Sequence, residues 1–240
     1  MRQSLARVGL ASLATLLLGL SGCGSDATVT RTEPTNPNAS FVAKTQAELE
    51  PALLTAADLA GSWKPFALTP TGPSGAPRSA IPEGVLGCPY LQTLATYGPD
   101  ADILATGREV ASVAYMTDRR GPFIRHGVSG PGASGAIGAV RHLQAIVQHC
   151  KTAEVVDERN VVTRFNVSSV AVKKAGDETF VVRLDSPGSA SFPPSQIVLV
   201  AVRRGDLISY VAWFGFNAKA DKALIQMLAD TTATKLTAVK

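Results

Sequence analysis

The hydrophobic pattern of this chain changes period several times, and each change predicts an element. Residues 108–117 alternate, with Val110, Ser112, Ala114 and Met116 on one side and Ala111, Val113 and Tyr115 on the other, which is the two-residue period of a strand. Residues 123–128 read as a second, shorter strand. The period then lengthens: apolar residues at 137, 140, 143, 146, 147 and 150 make one stripe along a helix over 137–150, with Cys150 on the stripe. Four β-rich runs follow, over 161–173, 178–184, 196–203 and 207–216. Turn chemistry at Ala175-Gly176-Asp177 and Gly205-Asp206 predicts that the first run pairs with the second, and the third with the fourth, as antiparallel hairpins. Residues 197–202 are apolar on both sides, which predicts a central strand covered twice. Residues 220–236 read as an amphipathic helix with Ala223, Leu224, Met227, Leu228 and Thr231 inward.

Before the first strand, residues 46–59 predict one or two short helices that bury Leu49, Leu53 and Leu54, and Trp63 anchors their exit. Pro65, Pro70, Pro73, Pro77, Pro82 and Pro89 then argue against regular structure and for a long loop that ends where Cys88 fixes it, followed by a helical turn around residues 90–97. The order of elements predicts an α+β fold, an antiparallel sheet with helices packed on it, as a single domain over residues 45–240.

The N-terminus has a different logic. Arg2 and Arg7 precede an apolar run over residues 8–20, too short for a membrane-spanning helix, which needs about 20 apolar residues. The run ends in Leu20-Ser21-Gly22-Cys23, the pattern at which a lipoprotein signal peptide is cleaved and the cysteine acylated. The alternatives are an ordinary signal peptide with a chance cysteine, or an uncleaved helix. The lipoprotein reading makes residues 1–22 the signal and Cys23 the lipidation site. Residues 23–44, rich in Thr, Pro, Asn and Ser, become a flexible tether. Two or three acyl chains on one residue anchor stably where one does not, so the expected address is the outer face of a cell membrane, with the membrane as partner through Cys23.

Loss of residues 1–22 removes two arginines and brings the formal net charge from +4 to +2. The longest runs of like charge are the pairs Arg119-Arg120, Lys173-Lys174 and Arg203-Arg204, which excludes nucleic acid as an expected partner. Two cysteines remain, Cys88 and Cys150, in a compartment without the cytosolic reducing pool. One disulfide between them is the simplest expectation, and two buried free thiols are the alternative.

Several segments together resemble the extracellular sensor domain of mycobacterial PknH-type receptor kinases and the actinobacterial lipoproteins that carry the same module without a kinase. The resemblance lies in Ala52-Leu53-Leu54-Thr55-Ala56-Ala57-Asp58-Leu59, the proline-rich stretch to Cys88-Pro89, the helix ending His149-Cys150, and the late hairpin from Val198 to Ser209. It implies an α+β domain with a deep cleft for an unidentified ligand and no agreed catalytic residues. Family members carry two disulfides, whereas this domain has only Cys88 and Cys150, so the shape of the implied cleft does not transfer with the resemblance.

Four constellations bear on chemistry. Gly130-Pro131-Gly132-Ala133-Ser134-Gly135 has the letters of a dinucleotide fingerprint, but Pro131 lacks the N–H that a phosphate cradle would use and no βαβ repeat surrounds it. Asp157 and Glu158, near the acidic position of such a site, end no convincing strand. The ordinary reading is a loop and helix start, with Gly130, Gly132, Ser134 and Gly135 as a candidate anion- or ligand-binding loop. Ser134 also approximates a nucleophile elbow, yet Ala136 replaces its second glycine and no histidine follows in the expected order. His142 and His149, seven apart on one helix, are about 10 Å apart in rise, too far to share a metal ion, with His126 as a third candidate. Arg204-Gly205-Asp206 is a hairpin turn before it is a recognition tripeptide. Tyr210, Trp213, Phe214 and Phe216 are either sheet core or cleft lining.

The expectation is therefore a non-catalytic, membrane-anchored binding or sensor lipoprotein, with no cofactor and no metal, whose partner is a small cell-envelope ligand. An accessory protein that binds another envelope protein is the alternative, and a hydrolase using Ser134 the third reading. Labelled palmitate should enter the chain in cells, and Cys23→Ala should abolish incorporation and release the protein from the membrane fraction. Unchanged fractionation of that variant would refute the anchor.

Overall fold

The computed structural model describes residues 44–66, 84–91, 110–156, 162–189 and 192–239. The export signal, Cys23 and the tether up to residue 43 lie outside these residues, as do Asp157 and Glu158. Nine strands form one antiparallel sheet: β1 (Lys64–Pro65), β2 (Gly84–Leu86), β3 (Val110–Met116), β4 (Phe123–Ser129), β5 (Thr152–Val156), β6 (Val162–Ser169), β7 (Glu178–Ser186), β8 (Ser195–Arg204) and β9 (Leu207–Phe216). Their order is β1-β3-β4-β9-β8-β7-β6-β5-β2. Among the described residues the helices include α1 (Gln46–Leu49), α2 (Gly132–His149) and α3 (Lys222–Lys235), with helical residues also at 89–91 and 3-10 turns at Glu50–Ala52, Ala56–Asp58 and Leu236–Ala238. The fold is α+β, with both predicted hairpins in place as β6–β7 and β8–β9.

Strands β8 and β9 occupy the middle of the sheet, and their alternation divides the core in two. Val198, Val200, Val202, Val211 and Trp213 point to one face, under α3 and the segment around α1. Leu199, Ala201, Ile208 and Tyr210 point to the other, under α2. We call these the terminal face and the α2 face. Helix α2 carries the chain from β4 to β5 and crosses its face over β6–β9. Cys150, immediately after α2, is bonded to Cys88 beside β2, with Cα atoms 5.5 Å apart. Closing a loop over a sequence separation of 62 stabilises the fold by about 4 kcal/mol in the chain-entropy account.

The structure corrects several boundaries. Helix α2 begins at Gly132, five residues before the apolar stripe, because its first turn is built from small residues that carry no periodic signal. The proline-rich stretch begins and ends in short strands, β1 and β2. Pro65 is tolerated there because β1 is an edge strand, and the next residue, Phe66, supplies the ladder bond to the Ala114 carbonyl. β5 went unpredicted, although Ala153 and Val155 alternate toward α2. The buried side of α3 is Ile225, Leu228, Ala229, Thr232 and Ala233, one residue round from the predicted stripe. Asp221 caps this helix by accepting from the Leu224 amide, and Ala220 donates to the Gln196 side chain, so polar contacts at its start set its rotation.

Polar contacts also hold the first segment to the sheet. The Leu54 amide donates to His126 Nδ1 at 2.9 Å, and the Leu54 carbonyl accepts from the Tyr115 hydroxyl at 2.9 Å. Since Nδ1 accepts, the ring proton sits on Nε2, which donates to Ser209 Oγ at 2.6 Å. Asp58, in the following 3-10 turn, pairs with Lys235 of α3 at 2.9 Å. Burial raises the Asp58 carboxyl, but Lys235 and the Thr55 hydrogen bonds outweigh it and hold the group below its ordinary value.

His126 is wholly buried, and that burial, with a smaller push from Lys235 against a pull from Asp58, takes its pKa from 6.5 down to about 3. Between those values the unfolded chain binds the proton and the folded chain does not, so stability falls as pH falls through this window, by about 1.4 kcal/mol per pH unit. His126→Leu should cost about 3 kcal/mol at neutral pH by stranding the Leu54 amide and Ser209. It should also flatten the slope between pH 6 and 4 relative to the parent in urea titrations, and parallel slopes would refute the assignment.

Candidate functional site

At one end of the sheet, the register aligns a polar row across four strands: Asn166 of β6, Asp185 of β7, Gln196 of β8 and Gly215 of β9. Gln196 is buried, and both ends of its amide are used. Nε2 donates to Asp185 Oδ1 at 2.7 Å, while Oε1 accepts from the Ala220 amide at 2.8 Å. The other Asp185 oxygen pairs with Arg183 Nε at 2.8 Å. Arg183 is thereby tied to Asp185 by an ion pair, and its two terminal nitrogens have no protein partner among the described residues.

The chain after β9 closes the rim. Gly215 carries no side chain because Trp213 lies along the strand at that point; a Cβ there would stand 2.4 Å from the indole ring and 3.0 Å from Ala218 Cβ. Asn217 takes a left-handed conformation, φ 49°, which asparagine tolerates better than most residues. Its amide donates to the Pro194 carbonyl at 2.8 Å, so the backbone turns outward and presents Lys219 at the rim.

These residues bound an open cleft of about 720 Å³, with Asn166, Arg183, Ser195, Gln196, Asn217 and Lys219 among its lining. The size lies in the range of small-molecule sites. Arg183 and Lys219 against Asp185 leave one net positive charge. Ser195 is 5% exposed, and its hydroxyl has no hydrogen-bond partner. A buried hydroxyl left without a partner destabilises the protein. The arrangement offers donors to an acceptor-rich molecule such as a carboxylate, a phosphate or a polyol.

The residues singled out from sequence lie elsewhere. Gly130, Gly132, Ser134 and Gly135 do not form a loop. Gly130 is buried against Lys44 and Leu207, and the other three belong to the first turn of α2, where Gly132 has φ +82°. Ser134 is exposed there. His126 sits in the terminal-face core. It also has the wrong polarity for a serine base, because its Nε2 donates to Ser209 instead of accepting. His142 and His149 are clipped together by Tyr90. The Tyr90 ring stacks on His149 at 5.2 Å between centroids, and His142 Nε2 donates to the Tyr90 carbonyl at 2.9 Å. The three histidines therefore do not converge, and no group of metal-ligating side chains forms among the described residues. Trp213 and Tyr210 are core on opposite faces, while Phe214 and Phe216 are half-exposed. Gly205 occupies the β8–β9 turn with φ +60°, its amide bonded to Asp177.

Sequence reasoning missed the cleft. A signal was present: Arg183 and Asp185 stand at alternate positions of β7 after Val181, where continued alternation would place apolar residues, and Gln196 opens an otherwise apolar β8.

No family model matches the chain, and no curated protein matches it. The class is set by the fold, an antiparallel sheet of nine strands covered on both faces. Among solved structures, the chain is similar to the extracellular domain of PknH from Mycobacterium tuberculosis, with a TM-score of 0.59 and 14% identity over 82% of this chain and 99% of that one. At that identity the likeness is one of fold.

Ser195→Ala should remove an unsatisfied hydroxyl and leave the fold equally stable or more stable by about 1 kcal/mol. Equilibrium unfolding measures this, and a loss above 1 kcal/mol would mean that the hydroxyl is already satisfied.

Proposed function

We propose that this chain is a membrane-anchored lipoprotein whose α+β domain stands outside the cytoplasm and binds a small anionic or polyol-containing ligand without transforming it. The observation that carries the reading is a cleft lined by the cations Arg183 and Lys219 and the amide of Asn166, in which Arg183 pairs with Asp185 and Asp185 in turn accepts from Gln196. Pre-oriented donors of this kind lower the ordering cost of binding. The lipoprotein pattern ending at Cys23 supports the address, and the fold shared with an extracellular domain is consistent with it. The cleft-lining residues include neither a Ser–His pair nor a metal-ligating cluster, so binding is the chemistry that their geometry favours.

Inorganic phosphate and acetate are suitable first probes, with native mass spectrometry of the protein from its own envelope to find a retained ligand. Binding to the folded state raises the melting temperature with ligand concentration. Arg183→Gln should weaken binding about tenfold or more, the effect of losing one charge-assisted contact of about 1.5–3 kcal/mol. If neither probe shifts the melting temperature and no small molecule is retained, the cleft is not an anion site.

A further inference from the structure

The α2 face carries a second row of aligned residues at the same end of the sheet. The register places Lys64, Met116, Phe123, Phe214, Ile197 and Leu184 side by side across β1, β3, β4, β9, β8 and β7. Leu184 is buried where α2 crosses, but Ile197, Phe214, Phe123 and Met116 remain partly exposed and Lys64 is exposed. Phe66 and Phe216 extend the row, packing on Phe123 and Phe214 at centroid distances of 6.0 and 4.5 Å. Phe66, Phe123, Phe214 and Phe216 thus form one contiguous, partly exposed row instead of singly scattered apolar residues.

The β3–β4 turn lies directly beyond this row. Thr117 and Gly121 close it through a hydroxyl–carbonyl bond of 2.9 Å, and Arg119 and Arg120 stand exposed at its tip. Neither guanidinium pairs with a carboxylate among the described residues. The turn's own acid, Asp118, is engaged by the Arg120 amide at 2.7 Å. Lys64 flanks the row on its other side.

We infer that this end of the sheet docks on an anionic phospholipid surface, with Arg119, Arg120 and Lys64 on the headgroups and the phenylalanine row in the interfacial layer. Cations beside half-buried apolar residues are the composition that anionic leaflets attract. The inference draws on the anchoring reading for its occupant. With Cys23 in the bilayer, the 21 residues from 23 to 43 limit the separation of domain and membrane to about 70 Å even when fully extended. At such effective concentrations a weak contact suffices.

The test uses the full chain mixed with vesicles of phosphatidylcholine alone or of phosphatidylcholine with phosphatidylglycerol, read by sedimentation and by amide exchange of the peptides covering residues 116–123 and 214–217. Exchange of both peptides should slow with phosphatidylglycerol and return to the phosphatidylcholine rate in high salt. The double variant Arg119→Glu, Arg120→Glu, altered only in an exposed turn, should lose the slowing in phosphatidylglycerol while keeping the parent's melting temperature. Equal exchange in the two vesicle types, slowing that survives the charge reversal, or slowing spread evenly over the sheet would each overturn the inference. A chain without its acyl group leaves phosphatidylcholine vesicles but still sediments with phosphatidylglycerol if the inference holds, so failure of the anchor and failure of the docking surface are told apart.

Discussion

Strands β8 and β9 are apolar on both sides, and neither side tolerates water. That constraint organises the rest of the molecule, because the chain must supply two covers for one pair of strands. Helix α2 is one cover, laid down by a single continuous stretch between β4 and β5. The other is assembled from α1 with its 3-10 turns and α3, which come from opposite ends of the described domain and are joined by contacts instead of by sequence. The peptide group of Leu54, held on both sides by His126 and Tyr115, and the Asp58–Lys235 pair fix this composite cover in place.

The same division explains what could be read in advance. Strands β3, β4 and β6 to β9 announced themselves through alternation and turn chemistry, and α2 and α3 through their stripes, since each is locally amphipathic. Elements whose signal is not local were harder. The first turn of α2 is made of glycine, alanine and serine, and β1 contains a proline, so neither shows a period. The rotation of α3 is set by Gln196 and Asp221, contacts made across the fold. The cleft was invisible for a related reason. Its polar row consists of one residue from each of four strands, separated by up to 49 positions between Asn166 and Gly215, and only the register brings them level.

Both surfaces of interest lie where the strands outrun their covers. On the terminal face the exposed row is polar and becomes the cleft with Arg183; on the α2 face it is aromatic and becomes the phenylalanine ladder. Gly215 and Phe214 are neighbours in β9, so one strand end contributes to both, and the pleat sends the two chemistries to opposite sides. The domain thus concentrates its distinctive chemistry at a single rim of the sheet.

The composite cover has a consequence for how the protein is made. Synthesis from the N-terminus delivers Leu49 and Leu54 early, yet their packing partners Ile225, Leu228 and Leu236 emerge more than 170 residues later. The central hairpin is made only shortly before Ile225, so its cover on this face is completed when α3 arrives. Completion of this face is accordingly the last step of synthesis, and a chain stopped short of α3 would leave half of the core uncovered.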